Sequence, residues 1–186
     1  NKLVSFNLNK YLILTNPNGS EFSQNLIKEA LINTDKRVKN DQSVTPGFLI
    51  AAMLWPEVLK RSKGDKEINL RKFFRSMDQI LRNQQTITAI PRKFHSYIKD
   101  IWVLQLKLHS RIGKQPYKTS KHPRFRAAYD FLLIREKASK CKSNLGDWWT
   151  KFQKNNSASQ KQQILNLKEV DSENSFKKFG FQEELI

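Results

Sequence analysis

Apolar residues recur at intervals of three and four positions along most of this 186-residue chain, and nowhere do they alternate over a stretch long enough to make a strand. Such spacing places apolar side chains on one face of a helix. The sequence therefore predicts an all-α fold, with a compact body of about six or seven helices and no internal repeats. A hydrophobic content of 38% with twelve phenylalanines is enough to build a packed core.

The stretch between Ile90 and Arg135 holds two of the predicted helices. Pro91 and Pro123 each suit a first helical position, where the missing N–H costs nothing, and Gly113 can end the first helix in the left-handed conformation. On the first helix the apolar side chains share one arc and most basic side chains lie opposite, whereas the second helix carries two apolar strips. These patterns predict a basic hairpin of helices.

Capping and breaking residues mark the other helices. Ser20 is expected to cap the first helix, and Thr45 with Pro46 to begin the second. Residues 48–55 are apolar on every side, so this helix belongs inside the core. Pro56 is expected to kink the helix or to separate a short second turn.

Three segments are predicted. Residues 1–19 are too short for a domain and are interpreted as the remnant of a connection to preceding sequence. Residues 20–155 form the helical body and binding domain. Residues 156–186 show little apolar periodicity, which predicts a weakly structured tail that is marginal or disordered.

The charge of the chain is strongly unbalanced. A net charge of +17 arises from 34 basic and 17 acidic residues, and residues 90–154 alone hold 16 basic and 4 acidic residues. Such concentration in one helical region indicates a polyanionic partner, most often nucleic acid. The alternative is a lysine-rich surface that only keeps the protein in solution.

The basic side chains of the predicted hairpin and its connecting loop are candidate phosphate contacts. Tyr117 and His122 could add stacking or hydrogen bonds to unpaired bases. The candidate RNA-binding residues are Arg92, Lys93, Lys99, Lys107, Arg111, Lys114, Tyr117, Lys118, Lys121, His122 and Arg124.

Some side chains in this region have more than one possible role. His122 can cap the helix that follows or contact phosphate. Trp148 and Trp149 could stack on bases, but at least one must lie in the core, because neighbouring helical residues point about 100° apart. Arg126 and Asp130 are one turn apart and are expected to pair at the edge of a core.

No catalytic or metal-binding residue can be assigned. The sequence holds no catalytic triad, zinc-ligand set or phosphate-binding loop. His95 and His109 are too far apart on one helix to share a metal and are expected at an edge or on the surface, and Asp65 and Glu67 are expected in a solvated loop. Cys141 is the one cysteine, which excludes an internal disulfide and is typical of a reducing compartment. No membrane span or secretory pattern is found.

Several short blocks of the sequence match a known family. They include Ile90-Pro91-Arg92, Asp100-Ile101-Trp102, Leu104-Gln105-Leu106, Gly113-Lys114, Trp148-Trp149 and the block from His122 to Arg135. Together they resemble the C-terminal half of bacterial poly(A) polymerase I, a class II nucleotidyltransferase. The resemblance runs from about Phe22 to Gln153, and the block from His122 to Arg135 separates it from the related CCA-adding enzymes.

The resemblance implies a helical body and an RNA-binding region that follow a catalytic head and neck. The whole family member adds adenylates from ATP to RNA 3′ ends, using Mg²⁺-binding acids. No Gly-Ser followed by the paired aspartates of such heads occurs in this sequence, so no catalytic residue carries over and no cofactor is expected in this chain. Residues 154–186 also lack arginine, whereas family members often end in an arginine-rich tail.

The leading hypothesis is therefore a cytoplasmic body that guides single-stranded RNA 3′ ends to an active site on a missing head of the same protein, in mRNA processing and decay. This chain alone is predicted to be inactive. The alternative is a non-enzymatic helical adaptor or nucleic-acid-binding module.

Overall fold

The helices follow the apolar periodicity of the sequence. The computed structural model describes residues 20–63, 68–139 and 143–170, and these residues form eight α-helices and no strand. The predicted all-α fold is confirmed, with slightly more helices than expected. The helices are α1 (Glu21–Lys39), α2 (Pro46–Ser62), α3 (Leu70–Gln85), α4 (Arg92–His109), α5 (Gln115–Ser120), α6 (Phe125–Ser139), α7 (Leu145–Lys154) and α8 (Ser157–Val170).

The predicted helix starts are only partly confirmed, because Pro91 is the N-cap of α4 and not its first residue, and α6 begins two residues after Pro123. The Ser20 hydroxyl accepts a hydrogen bond from the Ser23 N–H and caps α1, as expected. Thr45 precedes Pro46 but makes no side-chain bond to α2. Its side chain instead lies beside Tyr97 of α4. A residue predicted to cap its own helix therefore contacts another helix.

Helix α2 lies in the larger of two hydrophobic clusters, which also contains residues of α1, α3, α4 and α6. It continues through Pro56, although proline removes one helical hydrogen bond at a cost of about 3 kcal/mol. Trp55 before this proline and Val58 and Leu59 after it are all buried. Each fully buried side chain of this kind contributes about 1.5–3 kcal/mol, which offsets the lost hydrogen bond.

The second cluster joins the end of α4 to α6, α7 and α8. Trp149 and Phe152 of α7 lie at its centre, and Ile164 of α8 packs against them. Helix α8 is also tied to α7, because the Gln163 side chain donates to the Trp148 carbonyl at 2.8 Å. Helical structure therefore continues beyond the boundary predicted at residue 155, whereas residues 171–186, like residues 1–19, lie outside the described part of the chain.

Helices α4 and α6 contact each other, but the connection between them contains a further helix. The Gln105 side chain, in the second half of α4, donates to the Ala128 carbonyl near the start of α6 and accepts from Arg135 in the second half of α6. The Arg124 guanidinium, one residue before α6, lies over the ring of Tyr97 in the first half of α4. Residues 110–124 therefore do not form a simple loop, because they include α5.

The start of α2 packs closely on α4 at Gly47. A methyl group built there would lie 2.9 Å from Cδ1 of Tyr97 and 3.3 Å from Cδ1 of Phe94. Alanine normally stabilises a helix interior by about 0.5–1 kcal/mol relative to glycine. We expect Gly47→Ala instead to lower the free energy of unfolding by about 1–3 kcal/mol, because the two rings must move.

Urea denaturation measures this change. Gln79→Ala, on the exposed side of α3, is the control and should alter stability by about 0.5 kcal/mol or less. Equal or higher stability of Gly47→Ala would contradict the close packing of α2 on α4.

Candidate nucleic-acid interface

A run without acidic residues spans the region that leads from α4 to α6. Between Asp100 and Asp130 the sequence contains no aspartate or glutamate but seven lysines and arginines. The structure folds this run into the second half of α4, the short helix α5 and the turns on either side of it. We call residues 107–124 the α5 basic segment. The number of cations makes this segment visible in the sequence, and the absence of acids between them is a second signal.

Most cations of the α5 basic segment are open to solvent. Arg111 is partly buried, whereas the other five are exposed: Lys107, Lys114, Lys118, Lys121 and Arg124. Lys114 and Lys118 are one turn apart, at the start of α5 and within it. Side chains with this spacing lie on the same side of a helix. The segment therefore presents several positive charges within a short length of chain.

Aromatic rings hold two of these arginines. The Arg124 guanidinium carbon lies 4.9 Å from the centroid of the Tyr97 ring, and that of Arg111 lies 5.6 Å from the centroid of Trp148. A cation–π contact fixes the side chain without cancelling its charge, unlike a contact with a carboxylate. Both arginines are thus oriented, and the exposed Arg124 keeps its charge for an anion.

The ion pairs among the described residues lie outside the α5 basic segment. Arg126 and Asp130 form the predicted pair, with Nε to Oδ1 at 3.1 Å, and Arg37 of α1 joins them at 3.6 Å. Burial raises the pKa of Asp130 despite the two arginines. Lys99 binds Asp78 of α3. The candidate set thus includes one cation, Lys99, whose charge is already paired.

Two further candidates lie at the other end of α4. Arg92 and Lys93 begin that helix and are exposed, and the Lys93 ammonium lies 5.2 Å from the Phe94 ring centroid. At 1.5 Å per residue, the start of α4 is about 25 Å from its end. Arg124, over Tyr97, lies between these positions. The candidates therefore extend along α4 and do not form a single cluster.

The polar and aromatic candidates, His122 and Tyr117, both make contacts with other residues of the protein. The His122 Nδ1 accepts the Arg124 N–H at 3.1 Å, so the ring caps the turn before α6, which is one of its two expected roles. The Tyr117 ring is partly buried and packs edge-on against Phe152. Trp148 and Trp149 are both buried and hold α7 in the core. Stacking of bases on the two tryptophans is therefore excluded by their position.

Arg135 of α6 is a buried arginine that lies against α4. Its side chain is 2% exposed, donates to Gln105 Oε1 at 2.8 Å and lies 5.0 Å from the Trp55 ring centroid. The Gln105 amide in turn donates to the carbonyls of Ile101 and Ala128. Arg135 therefore stabilises the contact between α4 and α6 and is not available to a ligand.

His109, at the end of α4, lies at an edge of the core with its Nε2 buried. Burial and then the positive charges of Arg135 and Arg111 lower its pKa to about 3. In the unfolded chain the pKa of histidine is about 6.5, so between these values the unfolded state binds more protons. Stability is therefore complete above pH 6.5 and falls as the pH drops toward 3.

We expect the free energy of unfolding to decrease by up to about 1.4 kcal/mol per pH unit in this range because of His109. Urea denaturation at several pH values between 7 and 4, for the wild-type chain and His109→Gln, measures this contribution. The variant should lose that part of the pH dependence. Identical pH profiles for the two proteins would show that His109 titrates normally in the folded state.

The structure gives two further findings about possible ligands and surroundings. Within residues 20–63, 68–139 and 143–170, no three His, Cys, Asp or Glu side chains are grouped closely enough to hold a metal ion. In the same residues, each helix is too short or too polar to cross a membrane. Asp65, Glu67 and Cys141 lie outside the described part of the chain.

Comparison with known protein families shows the family to which this chain belongs. A family model described as the polymerase A arginine-rich C-terminus matches residues 65–179. Because the match covers more than half of the chain, the protein belongs to this family. Its helical body corresponds to the C-terminal body of bacterial poly(A) polymerase I, as the resemblance implied.

Individual relatives agree with this assignment. The chain is 37% identical over 161 residues to poly(A) polymerase I of Escherichia coli O6:H1, which covers 83% of the chain and 35% of the relative. It is 36% identical over 142 residues to the Salmonella typhi enzyme, covering 73% and 30%. For Haemophilus influenzae the identity is 33% over 151 residues, covering 77% and 33%. The chain thus spans about a third of the length of these curated relatives.

The arginines of the matched residues are unevenly placed. The 51 residues that follow Arg135 in this sequence contain lysines and no arginine. Lysine attracts phosphate as a point charge but lacks the planar fork with which arginine binds two phosphate oxygens. Within residues 65–179 the arginines lie at or before Arg135, two of them in the α5 basic segment.

Proposed function

We propose that this chain is the RNA-binding body of a bacterial poly(A) polymerase and that it holds a single-stranded RNA 3′ end during the addition of adenylates from ATP. The observation that carries the proposal is the α5 basic segment, which combines exposed cations with an absence of acids. Phosphate neutralisation by such side chains releases counterions and so favours binding to nucleic acid of any sequence.

The preference for single strands rests on the aromatic residues beside the cations. Tyr117 is partly exposed next to Lys114 and Lys118, and the Arg124 guanidinium plane lies near the start of α6. Unpaired bases stack on tyrosine rings and guanidinium groups, whereas the bases of a duplex are not accessible to them. The segment therefore suits unpaired RNA better than a duplex.

The chemistry is proposed to take place on other parts of the longer protein. Adenylate transfer of this kind uses carboxylates that bind divalent metal ions. The sequence has no Gly-Ser followed by the paired aspartates expected of such a head, and the relatives are about three times as long as the matched region. In this proposal the ATP and Mg²⁺ sites lie on that head, the body presents RNA to it, and the protein acts in the cytoplasm in mRNA processing and decay.

Binding of the chain to unstructured RNA at two salt concentrations tests the proposal. We expect binding at low salt that weakens steeply as salt increases, because each phosphate contact contributes about 0.7 to the slope of log K against log salt. A helical adaptor would instead show no RNA binding at low salt, or binding that does not depend on salt. Incubation of the same chain with ATP, Mg²⁺ and RNA should produce no extension, and extension would overturn the placement of catalysis elsewhere.

A further inference from the structure

A second basic surface lies on the exposed side of α3, away from the α5 basic segment. Arg71, Arg75, Asp78 and Arg82 are spaced by four, three and four residues and so share one side of this helix. All four are exposed. Beside them Phe74 is 48% exposed.

The Phe74 ring is oriented by contacts with the buried aromatic residues of the core. It packs edge-on against Phe73, with ring centroids 5.7 Å apart and planes at 82°. Phe73 is fully buried and packs in the same manner against Trp55 at 6.3 Å. A line of aromatic contacts thus leads from the core to an exposed ring. Because the ring is already ordered, a ligand that stacks on it loses little additional conformational entropy.

The charge of this surface favours an anionic ligand. Asp78 is its one acid among the described residues, and Asp78 is bound by Lys99 of α4. No ion pair in the described part of the chain involves Arg71, Arg75 or Arg82. The arginines can therefore pair with groups outside the protein, and each can bind a phosphate through two hydrogen bonds.

We propose that the exposed side of α3 is a second contact for single-stranded RNA, at which a base stacks on Phe74 and flanking phosphates bind Arg71 and Arg75. The proposal rests on the proposed function, because it assumes that RNA is the polyanion. Cations alone would suit any acidic partner, but the combination of arginines with an ordered exposed ring suits a strand that offers both phosphates and bases. RNA would thus contact the body at two places.

Fluorescence anisotropy with a labelled oligoadenylate of about 20 nucleotides tests this inference, because a single site covers roughly 4–16 nucleotides. The full 186-residue chain is used throughout. We expect Phe74→Ala to weaken binding about fivefold or more and Phe74→Tyr, which keeps a ring, to bind like wild type. The double variant Arg71→Gln with Arg75→Gln should reduce the slope of log K against log salt by about 1.4.

A matched control removes two exposed lysines, Lys28→Gln and Lys60→Gln, from α1 and α2, and should leave the slope nearly unchanged. If the α3 variants bind like wild type while variants of the α5 basic segment bind weakly, the second contact is wrong and the proposed function stands. If the wild-type chain binds no RNA, the proposed function fails as well. Poly-glutamate, a protein-like polyanion, should displace the labelled oligoadenylate poorly. If it displaces the RNA efficiently from both the wild-type chain and Phe74→Ala, this surface binds an acidic protein and not RNA.

Discussion

Simultaneous replacement of Lys114, Lys118, Lys121 and Arg124 by glutamine should weaken binding of the chain to unstructured RNA about a hundredfold or more near physiological salt. Each lost phosphate contact removes about 0.7 from the slope of log K against log salt, so the slope should decrease by about 2.8. All four side chains are exposed, and none takes part in an ion pair of the described residues. The fold should therefore tolerate the change.

A control variant that loses the same number of positive charges elsewhere shows whether RNA affinity depends on these four side chains or on the total charge of the chain. Lys28, Lys36, Lys39 and Lys60 are exposed on α1 and α2 and can be replaced by glutamine together. This control should lose much less affinity, because the replaced lysines lie outside the α5 basic segment. Equal weakening by both quadruple variants would mean that RNA responds only to the total charge of the chain.

The largest loss of stability is expected for Arg135→Ala, about 3–5 kcal/mol of unfolding free energy. The substitution leaves Gln105 Oε1 buried without the Arg135 donor and opens a space beside Trp55. An unsatisfied buried acceptor costs about 1–3 kcal/mol, and the cavity adds the loss of packing. Arg135→Met keeps most of the volume and should cost less, because it does not leave that space empty.

Urea denaturation of the same chains measures the difference. Arg126→Ala is the matched control, since its side chain is 71% exposed and Arg37 remains beside Asp130, so the change should cost about 1 kcal/mol or less. Similar stabilities of Arg135→Ala and Arg126→Ala would contradict a structural role for the buried arginine.

The fold class could be predicted from the sequence because helical periodicity is local. The caps at Ser20 and the left-handed turn at Gly113, where φ is 60°, were also predictable from residue type. Helix α4 nevertheless ends at His109, before the glycine, and the six residues of α5 are too few to show a periodic pattern. The short helix between α4 and α6 therefore leaves no periodic signal in the sequence.

Helix α8 is not predictable from the sequence for a related reason. Its apolar content is low, and its order depends on Ile164 packing in the second cluster and on Gln163 bonding to the Trp148 carbonyl. Both contacts are made with a different helix, so they leave no trace in the local pattern. A glutamine-rich segment with one buried isoleucine is hard to distinguish from a disordered tail by sequence.

The candidate interface was predictable as a concentration of charge but not residue by residue. Basic side chains on one helix look alike in sequence, yet Lys99 is paired with Asp78 and Arg135 is buried on Gln105. These partners are 21 and 30 residues away in the chain, which is beyond any helical spacing. Which cations remain available for RNA is thus decided by tertiary contacts.

Photo-cross-linking is the most direct measurement of where RNA lies on this protein. The full chain would be cross-linked to a thiouridine-containing single-stranded RNA, and the modified peptides located by mass spectrometry. We expect cross-links within residues 107–124, with fewer after the quadruple glutamine replacement there. Cross-links confined to α1 or α8, with none in the α5 basic segment, would contradict the proposed interface.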